Sequence, residues 1–268
     1  METGKVIPLY RYSLCFFLLA LGWSWFFWGI AIWRQIPFGS IKGSILIGLG
    51  GVGPSVSALG LLFLRDTTRT RLDFYHRLWN WDAVPWKLWV FVLGFPLGLQ
   101  LLSILLSLPL RGSRDQFLLE PSLTRLPGVL YFGVFVLLFG PLPEELGWRG
   151  YALPGLLSRM NEVSASVLLA SFWALWHFPL FLIPEYPLGS LLQKPLRIVF
   201  YLGDFFPNTI LYTIVFLNSG GSIPAAILFH WSGNLWGMAF ETSQTAEGIA
   251  LVLKATIAIG VFLLRRRC

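Results

Sequence analysis

The sequence predicts an all-α, polytopic integral membrane protein with about eight transmembrane helices that enclose a polar intramembrane cavity. Charged residues make up 12% of the 268 residues and hydrophobic residues 56%, and the mean hydropathy is +0.69. Soluble domains carry roughly twice that share of charge. Long apolar runs also alternate with short patches of Lys and Arg, which is typical of membrane loops. These observations exclude an ordinary soluble enzyme, a disordered protein and a nucleic-acid-binding module, although the net charge is +7.

The apolar runs set the number of spans, because a helix needs about 20 apolar residues to cross a hydrocarbon core of about 30 Å. The run 205–240 is too long for one helix, and the turn signal at 218–222 divides it into a sixth and a seventh span. The eighth run contains one lysine, Lys254. We therefore expect one domain over 1–268, with the other spans at 12–33, 43–64, 88–110, 126–143, 163–184 and 248–264.

The distribution of Lys and Arg predicts the orientation of the chain in the membrane. With both termini on one side, that side carries 11 of these residues and the other side 7, when Arg149 and Lys254 are left out as intramembrane candidates. Cytoplasmic loops are enriched in Lys and Arg. The sequence therefore predicts a multi-pass protein with both termini in the cytoplasm.

Charged residues within the apolar region need a reason, because a charge at the bilayer centre costs roughly 2.5–3.5 kcal/mol on insertion scales. Glu144, Glu145 and Arg149 follow the fourth run directly. Glu145 and Arg149 are one helical turn apart and can form an ion pair, while Glu144 points about 100° away. Pro143 suits the start of a helical segment. An ordinary interfacial ion-pair cluster would produce the same pattern.

Two further polar patches lie on other predicted spans. His177 lies in the fifth span, where a lone histidine is more often a packing residue than a catalyst. His230 and Asn234 lie in the seventh span, four residues apart and on one helix face. Such a pair can also serve only as a polar contact between helices.

Taken together, the three patches supply the groups that hydrolysis needs. A desolvated glutamate can take a proton from water, and a histidine can share that water or carry its proton. A His–Asn pair can donate hydrogen bonds to the oxyanion of a tetrahedral intermediate. The groups would meet only if their helices pack around one polar cavity.

The arrangement resembles the CPBP (CaaX protease and bacteriocin-processing) family of intramembrane proteases, also called the ABI family, which includes the Rce1-type CaaX prenyl endopeptidases. The family shows Glu-Glu-x-x-x-Arg, Phe-x-x-x-His and His-x-x-x-Asn on successive membrane helices. The first matches residues 144–149 and the third matches residues 230–234. The second departs from the pattern, because Trp173 stands four residues before His177.

The resemblance implies a role for each matching residue. Glu144 would activate the attacking water with the help of His177, and His230 and Asn234 would stabilise the oxyanion. Arg149 would hold Glu145 and thereby fix the helix that carries Glu144. The implied substrate is the C-terminal tail of a prenylated protein or peptide, presented from the lipid bilayer.

Alternatives to this interpretation remain open. A zinc-dependent version of the same protease would use His177, His230 and a glutamate as metal ligands. We favour a mechanism without metal or cofactor, because Asn is a poor zinc ligand and no His-Glu-x-x-His helix occurs. A non-catalytic scaffold or bacteriocin-immunity factor would use the polar residues only for packing. A transporter is disfavoured because the sequence shows no internal repeat.

Two intramembrane charges have no place in these motifs. Asp204 can line the same cavity, or it can mark an interface or the break before Pro207. Lys254 is expected to pair with an acid or to lie near a polar cavity.

Overall fold

The computed structural model describes residues 10–110 and 112–265, with the backbone alone at Ser122 and Arg265. The described residues are helical apart from loops and one isolated bridge between Leu119 and Phe240. The helices are α1 Ser13–Trp33, α2 Ile41–Gly51, α3 Gly53–Leu64, α4 Thr68–Leu78, α5 Trp86–Ser107, α6 Leu126–Phe139, α7 Pro141–Gly147, α8 Leu153–Leu157, α9 Glu162–His177, α10 Pro195–Asn218, α11 Ile223–Ala239 and α12 Gln244–Arg265.

The helices confirm a polytopic, all-α membrane protein. Six helical stretches within the described residues are long and apolar enough to cross a membrane, and a seventh is reached if the bent pair α2–α3 counts as one span. The seventh predicted span coincides with α11, which has 17 residues and covers roughly 26 Å at 1.5 Å per residue. Because this length falls short of a full hydrocarbon core, the count of eight stays a prediction.

The second predicted span is broken at Val52, where α2 and α3 meet at an angle of 41°. The glycine-rich stretch around the break allows close packing against α1. A Cβ atom on Gly50 would overlap the indole of Trp28, and one on Gly53 would overlap the hydroxyl of Ser24. Small residues permit such backbone approach between membrane helices, so this pair of helices lies tightly against α1.

The fourth predicted span continues well beyond residue 143. One apolar stretch runs over Leu126–Leu157, but it is broken at Gly140 and again by a π-helical turn over Trp148–Ala152. Helix α7 begins at Pro141, two residues before the predicted Pro143. Pro141 has no N–H to donate to the preceding turn, so it ends α6 and suits the first position of α7.

Helix α4 is amphipathic and packs against the π-helical turn over Trp148–Ala152. Its Arg77 donates a hydrogen bond of 2.7 Å to the carbonyl oxygen of Gly150 and one of 2.8 Å to the carboxylate of Asp73. Arg77 also donates to the hydroxyl of Tyr10. A π-turn disturbs the regular i→i−4 ladder, and Arg77 satisfies a backbone carbonyl in that turn from outside.

Helices α10 and α12 run parallel and are joined by two ion pairs one heptad apart. Arg197 pairs with Glu247 at 3.2 Å, and Lys254 pairs with Asp204 at 2.5 Å. The charge count behind the predicted orientation rests in part on residues outside the described ones, namely Lys5, Arg111, Arg266 and Arg267.

Candidate active site

The motif residues come from three helices that meet inside the bundle. Helix α7 carries Glu144 and Glu145, α9 ends at His177, and α11 carries His230 and Asn234. Helix α7 packs against α3 on one side and against α11 on the other. Glu145 has no exposed surface, and Glu144 and His230 retain 7% and 4%. His177 and Asn234 are half-buried.

Glu145 is the centre of a buried charge cluster. Its Oε1 accepts a hydrogen bond of 2.7 Å from Nη1 of Arg149, as the i, i+4 spacing predicts, and one of 2.8 Å from Nδ1 of His230. The Arg149 guanidinium lies 4.5 Å from the ring centroid of Trp173 and 4.1 Å from that of Tyr212. Such cation–π contacts contribute about 2 kcal/mol or more when the cation is desolvated. The cluster therefore joins α7, α9, α10 and α11.

Glu144 points away from this ion pair. Its Oε2 accepts a hydrogen bond of 2.7 Å from the indole N–H of Trp173. Its Oε1 accepts none from the side chains that the structure describes, and it lies 3.9 Å from the point where a Cβ atom on Gly140 would stand. The Nδ2 of Asn234 lies 3.4 Å from the same point. The carboxylate oxygen of Glu144 and the amide nitrogen of Asn234 therefore lie near the same point of the backbone, at ordinary van der Waals distances from it.

His177 is oriented by its own helix. Its Nδ1 lies 2.8 Å from the carbonyl oxygen of Trp173, and because a carbonyl only accepts, Nδ1 carries the hydrogen. Neutral His177 therefore presents Nε2 as an acceptor. The ring packs against Trp176, Tyr201 and Phe205, with centroid distances of 4.7, 6.2 and 4.9 Å.

Trp173 links Glu144 to His177, since its indole N–H bonds the first and its carbonyl the second. The described residues show no direct hydrogen bond between Glu144 and His177, so the predicted contact, direct or through one water, stays a prediction. From the sequence, Trp173 was noted only because it replaces the phenylalanine of the family motif.

The loop 183–194 lies close to the site. Phe38 donates its backbone N–H to the carbonyl of Pro184 at 2.9 Å, and its ring packs on Tyr186 with a centroid distance of 5.1 Å. Burial, together with the negative charge of Glu144, raises the pKa of Tyr186 to about 12. The Tyr186 hydroxyl therefore stays protonated at neutral pH.

Asp204 and Lys254 form a separate pair away from the motif residues. Asp204 accepts hydrogen bonds from Lys254 at 2.5 Å and from Asn208 at 2.7 Å. The expectation that Lys254 pairs with an acid is confirmed. The carboxylate of Asp204 is thus engaged at the contact between α10 and α12, which agrees with the interface alternative rather than with a place beside Glu144.

The site shows no ready-made metal centre among the residues that the structure describes: no group of three or more His, Cys, Asp or Glu side chains converges there in a way that could hold an ion. A cavity of about 470 Å³ lies elsewhere, between α10 and α12, and it is lined mainly by apolar residues such as Phe200 and Val252. The predicted polar cavity at the motif residues stays a prediction, as does the independence of the chemistry from metal.

Three supporting residues were not singled out by sequence reasoning. Gly140 lies beside both Glu144 and Asn234, Tyr212 stacks on Arg149, and Arg77 binds the π-turn. The Gly140–Pro141 pair is a recognisable breaker signal. Tyr212 and Arg77 carry no local signal, because their contacts depend on helices that are distant in sequence.

A buried carboxylate, two histidines and a carboxamide thus lie on α7, α9 and α11 of an integral membrane protein. Residues 126–236 match the family model of the type II CAAX prenyl endopeptidase Rce1-like proteins. The chain is 32% identical to CAAX prenyl protease 2 of Methanococcus maripaludis over 218 residues, which cover 78% of this chain and 79% of the relative. The chain therefore belongs to the Rce1-like family of CAAX prenyl proteases, which are hydrolases, and the resemblance seen in the motifs is confirmed.

Proposed function

We propose that this protein is an intramembrane endopeptidase that cleaves a peptide bond near the C-terminus of a prenylated, CaaX-type protein or peptide. The observation that carries the proposal is the convergence of Glu144 and Asn234, whose Oε1 and Nδ2 lie 3.9 and 3.4 Å from one point beside Gly140. The family membership and the name of the Methanococcus maripaludis relative, CAAX prenyl protease 2, support the reaction class and the substrate class. The lipid bilayer is the partner that presents the prenyl group.

Glu144 is the proposed general base. One carboxylate oxygen is held by Trp173 at 2.7 Å, which leaves Oε1 to accept a hydrogen bond from the attacking water. A positioned base of this kind typically contributes about 10²–10⁴-fold to the rate. His177 assists through Nε2, which is the nitrogen left free by the bond from Nδ1 to the Trp173 carbonyl.

His230 and Asn234 are the proposed oxyanion donors. Because Nδ1 of His230 donates to Glu145, its Nε2 can donate only when His230 is an imidazolium. Glu145 lies between this cation and Arg149 and can balance part of their charge. Asn234 adds an amide donor that needs no protonation change, and donors aimed at a developing oxyanion are among the largest catalytic contributions.

Cleavage of a fluorogenic farnesylated CaaX peptide by the purified protein tests the proposal. Glu144→Gln removes the base and keeps the shape, so we expect a loss of about 10²-fold or more in kcat. Glu241→Gln is the matched control, because Glu241 is an exposed glutamate outside the site, and it should retain wild-type activity. Each protein is assayed with and without a zinc chelator.

The outcomes separate the alternatives. Activity that disappears in Glu144→Gln and survives chelation supports the metal-free mechanism, whereas loss on chelation makes His177 and His230 metal ligands. Glu144→Gln with wild-type activity would overturn the role of Glu144. A wild-type protein that binds the peptide and never cleaves it would favour a scaffold or immunity factor.

We also propose that both termini face the cytoplasm, on the charge count given above. A reporter that is active on only one side of the membrane, fused after Cys268, tests this orientation. Activity of the reporter on the outer side would reverse it.

A further inference from the structure

Trp173 makes specific contacts with several residues of the buried site in addition to filling space. It is 4% exposed. Its indole N–H bonds Glu144, and its carbonyl accepts from His177. Its ring lies under the Arg149 guanidinium, 4.5 Å from the centroid. The edge-on contact with His230 has a centroid distance of 5.3 Å. One residue therefore touches the base, both histidines and the buried arginine.

We propose that Trp173 is a positioning residue whose indole N–H fixes the direction of the Glu144 carboxylate and favours its ionised form. The inference rests on the proposed role of Glu144 as the base, and it goes beyond that role by assigning a function to the one motif position that departs from the family pattern. Phenylalanine at this position would fill similar space and would donate no hydrogen bond.

The direction of the N–H is fixed by the surroundings of the ring. Arg149 covers one face, while Phe205 and Tyr212 meet the ring edge-on, with centroid distances of 4.9 and 5.8 Å. Rotation of the indole would break these contacts. The bond to Glu144 is therefore preorganised, and no further ordering is needed when a water molecule binds at Oε1.

The hydrogen bond also affects which form of Glu144 predominates. A donor to a carboxylate favours the charged form, and charge-assisted bonds are roughly twice as strong as neutral ones. The second acid, Glu145, is already bonded to Arg149 and His230. Trp173 is therefore the one side-chain donor to Glu144 among the described residues, and its removal leaves the base more prone to hold a proton.

Two variants separate hydrogen bonding from packing. Trp173→Phe keeps an aromatic ring and loses the donor, whereas Trp173→Gln keeps an N–H donor and loses the ring. Trp28→Phe is the matched control, because Trp28 is equally buried and its indole N–H bonds the backbone carbonyl of Ile47. For each protein the pH–rate profile of kcat and kcat/KM is measured with the farnesylated peptide, and thermal unfolding is recorded alongside.

We expect the acid limb of the kcat profile to move upward by about one pH unit in Trp173→Phe, which corresponds to a tenfold loss of rate below the limb. KM should change little, because Trp173 is not proposed to bind substrate. Trp173→Gln keeps a donor without the packed ring, so it should shift the limb less than Trp173→Phe, even if its unfolding temperature falls. Trp28→Phe should keep the wild-type limb.

An unchanged limb in Trp173→Phe, or an equal shift in Trp173→Gln, would overturn this inference and leave Trp173 with a packing role only. That failure is distinct from failure of the proposed function, which would appear as full activity in Glu144→Gln. If Trp173→Phe does not fold, the Gln variant carries the test alone, because an upward shift of a full pH unit with a donor present contradicts the proposal.

Discussion

Replacing Arg149 by Met is expected to destabilise the protein more than any exposed substitution, because it leaves the buried Glu145 with a single partner. Both side chains have no exposed surface, and they are joined at 2.7 Å. Removal of one partner from a buried ion pair costs about 3–5 kcal/mol. Loss of the two ring contacts of the guanidinium adds roughly 0.5–2 kcal/mol each.

The free energy of unfolding is measured by denaturant titration in detergent, in a double-mutant cycle with Glu145→Gln. Gln retains an acceptor for His230 and carries no charge. The double variant should therefore be more stable than the sum of the single losses indicates, with a coupling energy of about 2 kcal/mol or more.

The pair Arg197–Glu247 provides the matched control cycle, because its side chains are 24% and 31% exposed. Exposed pairs contribute about 0–1 kcal/mol. The reasoning predicts that burial makes the Arg149–Glu145 coupling energy the larger of the two. It would be refuted if that coupling energy were no larger than the one for Arg197 and Glu247.

Two further predictions concern stability away from the motif residues. Burial raises the pKa of Asp66 above its ordinary value of 3.8, although the Tyr151 hydroxyl donates to its carboxylate. The contribution of Asp66 is therefore complete below about pH 4 and is lost as the pH rises through the raised pKa. Asp66→Asn should remove that part of the pH dependence of unfolding, and an unchanged dependence would contradict it. Lys254→Met should destabilise through the unpaired Asp204, and Asp204→Asn in the same chain should restore part of the loss. If Lys254→Met and the double variant have the same free energy of unfolding, the Asp204–Lys254 pair contributes nothing to stability.

The spans could be predicted from the sequence because membrane insertion depends on local composition and length. The positions of the breaks within these spans could not be predicted in the same way. The bend at Val52 depends on the contact of Gly50 and Gly53 with α1. The π-turn that begins at Trp148 accepts a hydrogen bond from Arg77, which lies some seventy residues away in the sequence.

The site was predictable to the extent that it depends on helical spacing. The four-residue interval of Glu145 and Arg149 predicts their ion pair, and the structure contains it. The partner of His230 is Glu145, on another helix, and no spacing rule indicates this contact. The indole N–H of Trp173 was likewise hidden, because the sequence shows which residue is present but not which atom it directs toward Glu144.

The spread of the site along the chain has a consequence for biogenesis. Glu144 and Asn234 are 90 residues apart, and no N-terminal fragment shorter than 234 residues contains the whole proposed set. Chains are made from the N-terminus onward, so a nascent chain lacks the complete set of proposed catalytic residues until α11 has been synthesised. During this interval Arg149 and Glu145 can neutralise each other within one segment, which lowers the cost of inserting both charges. The same ion pair that anchors the mature site can thus act earlier as an aid to insertion.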